Sequence, residues 1–62
     1  MDIRVNMDKR FTVLVMDDAA VVRSLLAAML AEIDSVERVI QAGDADSALH
    51  LVDEHNPDIA IL

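Results

Sequence analysis

The sequence has no cysteine, and its 62 residues include one glycine, one proline and a single aromatic residue, Phe11. Without cysteine there is no disulfide staple, thiolate nucleophile or sulfur metal site, and the two histidines, His50 and His55, are too few for a structural zinc site. One glycine, Gly43, excludes a glycine-rich phosphate loop. Basic residues are scarce too: five Lys and Arg stand against twelve Asp and Glu, a net charge of −7. The imbalance is uneven. Arg4, Lys9 and Arg10 leave the first ten residues at +1, whereas from Phe11 onward Arg23 and Arg38 face ten acids, giving −8. An acidic body with one aromatic side chain repels phosphate backbones and anionic bilayers, so neither nucleic acid nor membrane is an expected partner. No apolar run approaches the roughly 20 residues of a membrane span, and the opening residues do not show a signal-peptide pattern. A cytoplasmic location is the expectation. Ser24, Ser35 and Ser47 have no base at a suggestive spacing, and no independent enzymatic activity is expected.

What remains is 55% hydrophobic, too apolar for a disordered segment. A chain of this size buries only about 60% of the surface its unfolded form exposes, so a lone core is marginal. Tight packing or association with another chain must make up the difference.

The apolar residues fall into an alternating order. Residues 1–10 read as a leader, in which Met7 is a possible alternative start. Phe11 to Met16, FTVLVM, is apolar except for Thr12 and rich in β-branched residues, as a strand covered on both faces would be. Val22, Leu25, Leu26, Met29, Leu30 and Ile33 form one stripe of a following helix, broken at Asp34 and Ser35. Met16 and Met29 read as core filler, and Arg23 as a residue of that helix's solvated side. Glu37 to Ala42 is a second strand. Gly43 and Asp44 make a turn, with Asp44 a helix cap and Asp46 a first-turn acid. Ala45, Ala48, Leu49 and Val52 mark the buried side of a second helix, which Asn56-Pro57 ends. His50 and His55 read as surface residues. Ile59 to Leu62 is a third strand.

This order predicts an α/β fold with a parallel sheet. Right-handed crossovers allow strand order 1-2-3 or 2-1-3. The second places FTVLVM, the most continuously apolar strand, in the centre with one helix on each face. It also sets Asp17 and Asp18 at the carboxyl end of that strand, beside the point where the order reverses and open α/β sheets bind ligands. Two readings of the pair are open. Adjacent carboxylates suit a hard divalent cation such as Mg²⁺, which takes a few carboxylate oxygens and keeps several waters. Alternatively, one Asp caps the first helix and the other is solvated.

Taken as a string, VLVMDDAAVVRSLLAAML resembles the start of a response-regulator receiver domain, with an apolar strand, an acidic pair, then a helix bearing an arginine five residues after the second Asp. QAGDADSALHLVDEHNPDIAIL is similar to that family's next turn, helix and Pro-Asp approach to the third strand. Ala45 stands where many members carry glycine, which suggests a slightly different turn. The resemblance spans residues 11–62 and the first half of a family domain. It implies the β-α-β-α-β portion of a flavodoxin-like, CheY-like (β/α)₅ fold, a truncated receiver. It also implies that Asp17 and Asp18 hold Mg²⁺, Asp18 directly and Asp17 partly through water, and that a sensor histidine kinase is the partner of the complete domain. The family's phosphoacceptor aspartate would directly follow Leu62, outside this sequence. The expectation is therefore a phosphotransfer-incompetent segment with weak Mg²⁺ affinity and an exposed third strand through which it self-associates. The other readings are a stand-alone interaction module and, against the adjacent spacing of the aspartates, a fragment of a Mg²⁺-dependent phosphatase.

Overall fold

A computed structural model of the chain describes residues 9–62. The leader and Met7 fall almost wholly outside the described residues; of the first ten, Lys9 and Arg10 are described. The ammonium of Lys9 sits 5.4 Å from the centre of the Phe11 ring, within cation–π range.

Strand β1 (Phe11–Met16) leads to helix α1 (Ala20–Ala31), strand β2 (Val36–Ala42), helix α2 (Ala45–His55) and strand β3 (Ile59–Ile61). The three strands form one parallel sheet in the order β2-β1-β3. The central place of β1 explains its composition, because Val13, Leu14 and Val15 are all but inaccessible to solvent. Leu14 and Met16 lie on the face covered by α2, in a cluster with Ile40, Ala42, Ala48 and Leu51. Val13 and Val15 alternate to the opposite face. The sequence boundaries hold to within a residue or so: β2 starts at Val36, and β3 stops at Ile61. Asp58 anchors β3 at its start, donating its backbone N–H to Thr12 O (2.8 Å) and accepting from Thr12 N through Oδ2 (2.8 Å). Asn56, in the left-handed region at φ 47°, closes α2, a conformation asparagine tolerates better than most residues.

The helix faces differ from the sequence expectation. On α1 the buried residue is Ala27, flanked by half-buried Arg23, Leu26 and Leu30. Val22, Leu25, Met29 and Ile33, four of the six stripe positions, are exposed, with Leu25 at 61% and Met29 at 60%. Met29 is therefore not core filler. The helix is apolar nearly all round, so periodicity could not choose its face; the small Ala27 lets it approach the sheet. It ends at Ala31, earlier than the stripe suggested, and Ile33 sits in the turn that follows. On α2, Ala48 is buried, but Leu49 (65% exposed), Val52 and Ala45 face outward beside β3. Leu51 and His55 are half-buried in their place. The two helices pack on β1 and β2, and β3 contacts only β1. No helix among the described residues is long and apolar enough to cross a membrane.

Candidate functional site

The acidic end of the sheet is built by three chain segments. The first is the exit from β1, where Asp17 N–H donates to Ala42 O (3.1 Å), carrying the β1–β2 ladder one residue past β1. Asp17 then turns the chain into α1, its Oδ1 accepting from Ala19 N at 2.8 Å. Such a bond from an aspartate to the backbone two residues on is the local geometry that favours Asp in turns. The N-cap of α1 is Ala19, which makes no side-chain cap bond. Neither Asp17 nor Asp18 occupies the cap itself, which corrects that reading; Asp17 stabilises the turn from two positions upstream. Asp18 is exposed at the tip.

The second segment is the turn from β2 into α2. Asp44 is the N-cap of α2, as its sequence position predicts, and its Oδ1 accepts from Ser47 N at 2.7 Å. Asp46 lies in the first turn. The backbone N–H of Ser47, then its side chain and the Asp46 N–H, stabilise the charged form and hold the Asp44 carboxyl below its ordinary value. A carboxyl depressed in the folded state contributes stability above its unfolded pKa and loses it as pH falls through the folded one. Acidification from neutral through the carboxylate range should therefore loosen α2. In Asp44→Ala that part of the acid transition should disappear, read by far-UV circular dichroism across a pH titration.

The third segment is Leu62, past the end of β3. Together Met16, Asp17, Asp18, Gly43, Asp44 and Leu62 line an open depression of about 400 Å³. It shares Met16 and Leu62 with a wholly apolar groove of about 300 Å³ between α2 and β3, whose walls include Leu49, Val52 and Ala60.

Arg23 ties the first two segments together, a role that placing it on the solvated side of α1 missed. It is half-buried; Nη1 donates to Asp17 O at 2.7 Å and Nε to the Gln41 side-chain oxygen at 3.3 Å. Its position carried a signal, being the only basic residue between Phe11 and Glu37 and lying one turn into the helix after the acidic pair. His50 is exposed, as expected. His55 is not a free surface residue: its Nδ1 lies 3.3 Å from Arg38 Nη2 on β2, and its Nε2 lies 3.6 Å from Glu54. It is remote in sequence from the acidic end and closes the opposite end of α2.

The depression thus brings together Asp17 and Asp18, with Asp44 on its rim. Among the described residues no group of three or more His, Cys, Asp or Glu is gathered closely enough to hold a metal ion. Two neighbouring carboxylates still fit a hexahydrated cation that exchanges one or two waters for protein oxygens, and fit it weakly. Softer metals, which call for sulfur or imidazole ligands, do not suit this donor set. No protein-family model, curated protein or solved structure matches the sequence.

Proposed function

We propose that residues 11–62 are the first β-α-β-α-β portion of a response-regulator receiver, and that Asp17 and Asp18 form the part of its site that holds Mg²⁺. The observation that carries the reading is the acidic pair at the carboxyl end of the central strand of a 2-1-3 parallel sheet, where the strand order reverses. Asp18 is the direct ligand. Asp17, with one oxygen already accepting from Ala19 N, contributes partly through water. The cation, when bound, offsets negative charge at this end of the sheet, including the charge of a phosphoryl group approaching from a sensor histidine kinase.

The test is a Mg²⁺ titration followed by backbone amide shifts. The expected result is saturation in the millimolar range, roughly 4 kcal/mol of binding, with the largest shifts at Asp17, Asp18 and Gly43. Asp18→Asn should abolish it, and Asp46→Asn should not. Shifts spread evenly over all the acidic residues would leave only a diffuse ion atmosphere and defeat the reading.

A second reading, an interaction module that self-associates without phosphotransfer, is favoured by the edge position of β3 and the outward-facing Ile59 and Leu62.

A further inference from the structure

Gly43 has no positive φ, so the left-handed region is not what calls for glycine there. The reason lies in its neighbour. A Cβ built on Gly43 would stand 3.1 Å from Arg23 Nη1 and 3.8 Å from Arg23 Cζ, and among the described residues, its two chain neighbours aside, nothing else comes within 4 Å. The end of a flexible arginine would ordinarily yield, but this one is held: the same Nη1 makes the 2.7 Å bond to Asp17 O, while Nε engages Gln41. One guanidinium therefore spans the exit of β1, the end of β2 and the turn into α2, the three places that aim Asp17, Asp18 and Asp44 at the depression. It does so through a carbonyl and an amide oxygen, and among the described residues it pairs with no aspartate carboxylate.

We propose that Arg23 is a positioning residue for the Asp17–Asp18 pair, clamping the Asp17 carbonyl against the end of β2, and that position 43 is glycine because a side chain there would dislodge the clamp. The proposal deepens the divalent-cation reading and rests on it for its binding readout. An arginine acting only as a counter-charge would do the opposite of a clamp. It would weaken cation binding by repulsion, and its removal would tighten that binding. The sign of one measurement therefore separates the two roles.

The experiment uses Mn²⁺ as the probe, with binding followed by paramagnetic broadening of amide signals, on the 62-residue chain and on Arg23→Ala, Arg23→Lys, Gly43→Ala and the Arg23→Ala/Gly43→Ala double variant. Arg23→Ala should weaken binding about tenfold, the size of effect seen for residues that orient metal ligands, although it makes the site more negative. Arg23→Lys keeps the charge but lacks the planar fork that spans two acceptors, and should also bind more weakly than the parent. Binding by Arg23→Ala as tight as the parent's, or tighter, overturns the proposal. Thermal unfolding supplies a readout that needs no cation. In the parent background Gly43→Ala should lower Tm by crowding Arg23. In the Arg23→Ala background the same substitution should be neutral or raise Tm, since alanine restricts the unfolded chain and meets no neighbour. An equal loss of Tm in both backgrounds overturns the clamp. If the parent binds no Mn²⁺, the cation reading fails, and the Tm coupling between positions 23 and 43 still decides whether the clamp exists.

Discussion

Leu14→Ala should abolish cooperative folding. Leu14 is 1% exposed at the middle of the central strand, registered against Ile40 on β2 and Ala60 on β3. It is among the three largest fully buried side chains, and Ala42, Ala48, Met16, Ile40 and Leu51 pack into the same cluster. A leucine-to-alanine change in such a place costs about 2–5 kcal/mol, from lost transfer energy plus the cavity left behind. At roughly 0.05–0.15 kcal/mol per residue, a chain of this length holds only about 3–9 kcal/mol in total. One truncation therefore removes much or all of the stability. The expected observation is a broad, non-sigmoidal thermal transition by circular dichroism and collapse of amide shift dispersion, whereas Leu25→Ala, at an exposed position of α1, leaves both nearly unchanged. A sharp transition within a few degrees of the parent's would show that the cluster around Leu14 is not the core.

The strands and their order were legible in the sequence because β1 is the longest nearly continuous apolar strand, broken only by Thr12, as the centre of a parallel sheet demands. The turn chemistry was legible for the same sort of reason: Asp44 caps and Asn56-Pro57 terminates through local backbone bonds that residue type nearly dictates. Helix orientation was not. In α1, Val21, Val22, Leu25, Leu26, Ala27, Ala28, Met29 and Leu30 leave no polar face to mark the solvent side, so the stripe with the largest side chains looked like the core. The sheet instead receives Ala27, because a small residue permits close approach of helix to strand. The same preference buries Ala48 and turns Leu49 outward. The candidate site was half legible. Adjacent aspartates after a strand announce themselves, but the partners of Arg23 are a backbone carbonyl and the side chain of Gln41, eighteen residues away. Neither a carbonyl nor a glutamine has a charge pattern from which that contact could be read.

Concentration-dependent self-association through β3 should be the other large effect, and a single lysine should abolish it. The outer edge of β3 has no strand paired to it among the described residues, and Ile59 (47% exposed) and Leu62 (84%) flank it uncharged. An apolar edge with free backbone donors and acceptors invites another strand. The acidic surface opposes that contact, since every added copy brings a further −7. This opposition makes the test decisive. Ile59→Lys lowers the net negative charge, so on electrostatic grounds alone it would promote association. As an edge-blocking residue it should instead give a monomer. Sedimentation velocity on the 62-residue chain over a hundredfold concentration range should show a rising mass for the parent, more markedly at high salt where repulsion is screened, and a constant monomer mass for Ile59→Lys. A monomeric parent throughout would remove the self-association reading. Loss of association in Leu25→Lys but not in Ile59→Lys would move the contact to the exposed stripe of α1 and refute the role of the β3 edge.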